Sequence, residues 1–204
     1  MIKLILVRHG ETVWNKQRRI QGGGSDVELS EAGRKQAERL GLSLKEVEFS
    51  AIYSSPLKRA LDTAKPIADY HQLGIQVDPD LKELEVGELE GVDIAELGTN
   101  FSRFLLRWQH EGGWEKMPGG ESIDDLGDRV GAYLQRIIGK HKQEAVVVVS
   151  HFFVTVVIIC KALGVPLTQM ERIRVQNASV SIIDFRDRRP CLMSLSDICH
   201  LRES

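Results

Sequence analysis

Cysteine is scarce in this sequence: Cys160, Cys191 and Cys199 are three among 204 residues. An odd number without C-x-x-C spacing argues against both a disulfide framework and a zinc site. A reducing cytoplasm fits such usage, and a cytoplasmic protein is expected. An excess of charge of one sign is missing as well. With 27 basic and 29 acidic residues the formal net charge is −2, which supplies no general attraction to nucleic acid or to a membrane surface. No apolar run is long enough to span a bilayer. The stretch 145–160 is the one suspect; it falls about four residues short of the ~20 required and contains Ser150 and His151. The apolar run after Met1 is too short for a signal peptide and ends in Arg8-His9. Internal repeats and low-complexity linkers are also absent. A single domain, 1–204, is therefore expected, of a size that buries roughly 70% of its unfolded surface.

What is present is organised around the first eleven residues. Leu4-Ile5-Leu6-Val7 is a short aliphatic run that stops in Arg8-His9-Gly10-Glu11, the pattern of a buried strand followed by a polar loop. Ala145-Val146-Val147-Val148-Val149 repeats the pattern and stops in Ser150-His151. Open α/β sheets bind ligands outside the carboxyl ends of their parallel strands, so two buried strands each present a histidine at one edge.

The remaining chain alternates strand and helix signals. After a basic cluster at Lys16, Arg18 and Arg19 come Gln21-Gly22-Gly23-Gly24, a glycine run that suits a flexible turn or a close approach to a ligand. Ser30 caps a helix whose apolar face is Ala32, Leu40 and Leu44. Phe49 to Tyr53 is a strand. Ser55 reads as the cap of a further helix with Pro56 at its first position, and Leu57, Ala60, Leu61, Ala64, Ile67 and Ala68 form its stripe. Pro66 predicts a kink or an early end. Arg59 falls in the first turn of that helix, at a third strand-to-helix junction. Ile75 to Val77 is a short strand, and Glu83, Glu85, Glu88 and Glu90 read as a solvated acidic loop. Phe101, Phe104, Leu105 and Trp108 make a helical stripe that would cap the histidine edge, Pro118-Gly119-Gly120 is a turn, and Ser122 with Asp125 is a capping box. Ile123 to Ile138 is a helix, an apolar helix after His151 ends near Gly164, and 179–185 and 191–195 are late strands. This order predicts an α/β fold, a three-layer sandwich with a largely parallel central sheet flanked by helices.

Two histidines, two arginines and a carboxylic acid at one edge suit an anion better than a cation. Arg8 and Arg59 would repel a metal held by the histidines and glutamates. Guanidinium groups match phosphate oxygens and disfavour protonation of a neighbouring histidine. A neutral histidine beside a bound phosphoryl group is a nucleophile. The cations would stabilise charge spread over the transferring group, and a glutamate of raised pKa would protonate the leaving oxygen.

Leu6-Val7-Arg8-His9-Gly10-Glu11-Thr12-Val13-Trp14-Asn15 resembles the Arg-His-Gly signature of the histidine phosphatase superfamily, also called phosphoglycerate mutase-like. Further blocks resemble that family in order: Tyr53 to Ala60, Leu81-Lys82-Glu83 with Gly87 to Gly91, Pro118 to Ser122, Val149-Ser150-His151, and Asn177 to Ser181. The resemblance implies His9 as the phosphorylated nucleophile, Arg8, Arg59 and His151 as groups holding phosphoryl oxygens, and Glu83 as acid and base. It also implies Asn15 as a phosphate contact, with Gln21, Gly22 and Phe152 on the substrate side. Two departures bear on specificity. The family often has glycine after the second histidine, where this chain has Phe152-Phe153, and tryptophans where it has Leu89 and Gly23.

The expected function is hydrolysis of a small phosphorylated metabolite through a phosphohistidine, with no metal and no cofactor. The expected partner is a small-molecule phosphomonoester, with no nucleic acid and no membrane; a homodimer stays open. Three rivals are a cofactor-dependent phosphoglycerate mutase-type phosphotransferase, a non-catalytic phospholigand-binding module and a metallohydrolase. Residues 92–117 leave room for a small cap only.

Overall fold

The structure, a computed structural model, describes residues 2–97, 119–186 and 189–202. Its strands are β1 (Ile2–Arg8), β2 (Ala51–Ser54), β3 (Ile75–Val77), β4 (Ala145–Ser150), β5 (Val180–Arg186) and β6 (Arg189–Asp197). They form one sheet in the order β3-β2-β4-β1-β5-β6. The first four in that order run parallel, while β5 and β6 are antiparallel additions at one side. The helices are a single turn α1 (Val13–Lys16), then α2 (Glu31–Leu44), α3 (Lys58–His71), α4 (Ile123–Lys140) and α5 (Phe152–Leu163).

Alternation along the central strands explains why their sequences are apolar throughout. Leu4 and Leu6 of β1, with Val146 and Val148 of β4, pack on the face covered by α4 and α5. Ile5 and Val7, with Val147 and Val149, pack on the opposite face against α2 and α3. Successive side chains of a strand point to opposite faces, so a strand covered on both must be apolar at every position. The result is three layers, as the alternation of elements predicts. Shortening a fully buried residue such as Leu4 to alanine costs about 2–5 kcal/mol.

Local signals were realised unevenly. Ser30 caps α2 by accepting from the Gly33 N–H, and Ser122 and Asp125 form their capping box at α4. The face of α2 differs: Ala32 is exposed, and Gly33, Ala37, Leu40, Gly41 and Leu44 are buried. Gly33 is needed there because a Cβ would come within 1.9 Å of the Glu11 carbonyl oxygen. The Ser55 cap is also wrong. Helix α3 starts at Lys58 with Leu57 as the N-cap, which has no side-chain cap; the Ser55 hydroxyl accepts from the Leu57 N–H at 3.3 Å and is also held by His151, as described below. Nor does α3 end at Pro66; it runs on to His71. Ile67 and Ala68 beyond the proline are buried, and that packing outweighs the roughly 3 kcal/mol that an interior proline costs. The strand boundaries of β5 and β6 lie one or two residues from those expected. The stripe at Phe101 to Trp108, Pro118 and most of the cap at 92–117 lie outside the described residues; Ile94–Leu97 is a short helical turn at its start.

Candidate active site

Register brings the reactive edge together. Val7 pairs with Val149 and Arg8 with Ser150, while Ser54 of β2 also pairs with Val149. His9, His151 and Ser55 therefore leave three adjacent parallel strands at one level. The His9 N–H donates to the Ser150 carbonyl (2.9 Å) and the Ser55 N–H to the Val149 carbonyl (3.0 Å), which carries the ladder one residue beyond the strands.

The His9 ring is fixed through its Nδ1, 2.8 Å from the Gly10 carbonyl oxygen. A carbonyl only accepts, so Nδ1 carries the proton and Nε2 keeps its lone pair. From behind, the His9 carbonyl accepts from the Ala178 N–H (3.0 Å) and from Asn177 Nδ2 (3.2 Å). Ala178 holds a left-handed backbone, φ 53°, to make this turn.

Arg59 is fully buried. Its Nε donates to His151 Nδ1 (3.2 Å), and its Nη1 and Nη2 donate to the carbonyls of Ser25 (2.9 Å) and Gly22 (2.8 Å). The Gln21 amide, turned so that its oxygen faces Arg59, accepts from Nε and Nη1 at 3.1 and 3.0 Å. Because Nδ1 of His151 accepts, its Nε2 donates to Ser55 Oγ at 2.7 Å. Arg8 reaches the Val175 carbonyl through Nη1 (2.8 Å), lies 5.4 Å over the Phe152 ring, and keeps a buried Nε with no partner. Burial lowers the pKa of both arginines to about 10, against the opposing pull of Glu83, so both stay cationic at neutral pH.

Glu83 is buried, contrary to the solvated acidic loop that its neighbours suggested. Its Oε1 accepts from the Leu84 N–H (2.9 Å) and its Oε2 from the Phe153 N–H (3.2 Å) in the first turn of α5. These bonds and the arginines favour the carboxylate, yet burial outweighs them and raises its pKa. Both histidines move the other way. Burial lowers each well below the ordinary 6.5, and Arg59 pushes each down further. The site is thus a neutral imidazole, permanent cations and a carboxyl group biased toward holding its proton.

A cavity of about 190 Å³ opens on this edge. Of the residues expected from sequence, Arg8, His9, Asn15, Gln21, Glu83 and Phe152 line it. Arg59, His151 and Gly22 form a layer behind, where Arg59 ties the other two together. The glycine run packs tightly on protein: a Cβ on Gly22 would come 2.6 Å from the Leu84 carbonyl oxygen, and one on Gly23 2.5 Å from that of Glu83. Sequence reasoning missed Asn177, which also donates to Asn15 Oδ1 (3.1 Å), where the Thr12 N–H donates too (3.1 Å), so that the oxygen end of the Asn15 amide is held by protein. Ser55, and Arg19 and Arg174 on the cavity wall, were also missed. The family-like blocks at Asn177 and at Tyr53 to Ala60 and the basic cluster at Arg19 were the sequence signals for three of them; Arg174 had none. Among the described residues no group of three or more His, Cys, Asp or Glu side chains is arranged to hold a metal ion.

This arrangement suits transfer of a phosphoryl group to imidazole. Residues 4–198 match the histidine phosphatase superfamily (branch 1). The chain belongs to that superfamily. Phosphoserine phosphatase 1 of Hydrogenobacter thermophilus is 37% identical over 203 residues, 100% of this chain and 96% of that one. A metal-independent phosphoserine phosphatase of Arabidopsis thaliana is 41% identical, covering 98% of this chain and 83% of that one. A probable phosphoglycerate mutase of Erwinia tasmaniensis is 32% identical across 100% of this chain and 97% of its own. The crystal structure of phosphoserine phosphatase from Entamoeba histolytica in complex with 3-phosphoglyceric acid superposes with a TM-score of 0.85 at 31% identity, over 99% of this chain and 100% of that one. A superfamily member with relatives of this kind is a phosphoric monoester hydrolase acting on small phosphometabolites. No described helix is long and apolar enough to cross a membrane.

Proposed function

We propose that the chain hydrolyses a small phosphomonoester whose leaving group is itself anionic, with phosphoserine the first candidate. The observation that carries this reading is the placement of His9, Arg8 and Glu83 on one small cavity whose wall adds two further arginines, Arg19 and Arg174. The likeness to phosphoserine phosphatases supports the same choice. In the first step His9 Nε2 attacks phosphorus while the ester P–O bond breaks. Glu83 gives its proton to the leaving oxygen, and a free alcohol departs. In the second step water attacks the phosphohistidine, Glu83 takes a proton from that water, and the P–N bond breaks to return neutral His9 and inorganic phosphate. Arg8 holds the transferring oxygens, with the Asn15 amide beside it, and Arg59 and His151 steady them from behind. Gln21 and Phe152 border the leaving group, and Gly22 serves by fixing Arg59.

The same reading treats 1–204 as one domain with 92–117 as a short cap, and it needs neither a metal nor a cofactor. Its partner is the small substrate, without nucleic acid or membrane. The scarce cysteines support a cytoplasmic setting.

A mutase shares this chemistry, and one of the relatives above carries a mutase name. A mutase has to keep water from its phosphohistidine, which takes a substantial lid. The 26 residues of 92–117 offer little material for one. The test supplies 3-phosphoglycerate with its bisphosphate, and phosphoserine separately. Phosphate release without isomerisation is expected, fastest from phosphoserine. Isomerisation outpacing release by an order of magnitude would overturn the hydrolase reading.

A further inference from the structure

The block Pro118 to Ser122 resembles the family but has no part in the chemistry above, and a second cavity of about 370 Å³ opens beside it. Glu83 borders this cavity too, together with Lys82, Glu85, Glu121 and Arg129. The segment bearing Glu83 is thus open to a groove on the side away from His9. Residues 82–86 belong to no helix or strand, so no ladder fixes them. On the catalytic side the segment is held by the Gly23 N–H on the Leu84 carbonyl (2.9 Å) and by the Phe153 N–H on the carboxyl group.

On the open side Arg129 spans the gap, and beside it Glu121 Oε2 accepts from the Glu85 N–H at 3.4 Å. Arg129 Nη1 donates to the Asp80 carbonyl (2.7 Å) and Nη2 to the Glu83 carbonyl (3.3 Å). The guanidinium is locked in turn by Glu121, which accepts from Nε at 2.7 Å and from Nη2 at 2.9 Å. Glu121 is also tied to the segment, because its N–H donates to the Glu85 carbonyl (2.7 Å). Arg129 stands on α4 between Leu126 and Val130, both fully buried, so its base is anchored in the core. A planar fork matched to a carboxylate is a geometry that lysine does not reproduce.

We propose that Arg129, oriented by Glu121, is a positioning residue that sets where the Glu83 carboxyl group sits relative to the leaving oxygen. Neither side chain touches substrate; both act through the backbone of residues 80–85. The proposal rests on Glu83 being the proton donor, and leaving groups separate the two claims. An alkyl phosphate needs its oxygen protonated, whereas p-nitrophenyl phosphate, with a stable phenolate, needs little help.

The experiment compares Arg129→Lys, Glu121→Gln and Glu83→Gln on phosphoserine and p-nitrophenyl phosphate, with inhibition by inorganic phosphate and thermal melting alongside. Arg129→Lys and Glu121→Gln are expected to lose roughly tenfold or more in kcat/KM on phosphoserine, a parameter that reports steps only through phosphoenzyme formation, within the ~10²-fold that a 1 Å misplacement costs. On the aryl ester the loss should stay under about twofold, phosphate inhibition should be unchanged, and adding either variant to Glu83→Gln should cost little more than Glu83→Gln alone. Equal losses on both esters, or full additivity with Glu83→Gln, would overturn the positioning role. If Glu83→Gln alone shows no bias toward alkyl esters, the acid role fails first. If it does and neither other variant does, only the positioning role fails. Glu121→Gln retains the Arg129 side chain and removes only its carboxylate partner, so it decides the matter should Arg129→Lys fold poorly.

Discussion

The rings of His9 and His151 lie 5.1 Å apart, centre to centre, tilted by 57°. Each ring holds its own partner, Gly10 for the first and Arg59 with Ser55 for the second. Protonating either would place a cation beside the other and beside Arg59. That closeness and the burial of the pair set the response to pH.

For activity, His9 has to be neutral and Glu83 protonated. The His9 pKa lies well below 6.5, so the rise of kcat/KM with pH should be complete before neutrality. The Glu83 pKa is raised above 4.5, so activity on alkyl esters should fall again as that proton is lost at higher pH. A bell-shaped profile is expected, and the alkaline limb should flatten in Glu83→Gln. An ascending limb above pH 7 would contradict the environment described for His9.

Stability should carry the same signature. In the unfolded chain both histidines take up protons near their ordinary 6.5, while the folded pKa values lie well below it. Between those values the unfolded state binds more protons, so stability falls as pH drops below 6.5. Each histidine contributes up to about 1.4 kcal/mol per pH unit. Denaturant midpoints measured from pH 7 to pH 5 should show this slope, and His9→Ala should make it shallower.

His9 should carry the phosphoryl group. Acid-sensitive, base-stable phosphate should appear on the protein after rapid base quench and disappear in His9→Ala, whose kcat should drop by on the order of 10⁴-fold or more, as when a nucleophile that acts as a unit with its neighbours is removed. A His9→Ala protein of normal activity would end the phosphohistidine mechanism.

Phe152 tests how Arg8 is held. Its ring lies 5.4 Å from the guanidinium carbon, in range for a cation–π contact. Such contacts are worth about 0.5–2 kcal/mol, so Phe152→Gly should weaken inorganic phosphate inhibition by about 2- to 30-fold. The enlarged cavity should also admit bulkier esters. Phe152→Leu fills most of the space without a π face, and it should retain the size preference while losing phosphate affinity. Unchanged inhibition in both would show that Val175 alone orients Arg8.

Much of this was legible in sequence where burial dictated composition. Val7 and Val149 are apolar because helices cover both faces of their strands, and the histidines after them stood out for that reason. Glu83 was not legible from its surroundings. Glu85 and Glu88 a few residues on are exposed, and nothing in an acidic run says which member turns inward; the family resemblance picked it out. Ser55 misled because Ser-Ser-Pro reads as a helix start, while a histidine 96 residues away takes its hydroxyl. Asn177 and Arg129 work on backbone carbonyls, and a carbonyl leaves no mark on sequence. The glycine run was read as a choice between turn and ligand contact. Close packing accounts for two of the glycines, because the backbone at Gly22 and Gly23 nearly touches that of Leu84 and Glu83.

Strand β1 has neighbours β4 and β5, which begin at Ala145 and Val180. During synthesis the N-terminal strand therefore leaves the ribosome long before either partner exists. At about 5–20 residues per second that interval lasts roughly 7–30 s, with an aliphatic edge unpaired. A nascent chain stalled before Ala145 should hold its helices without a centre, and should bind holdase chaperones through Leu4 to Val7.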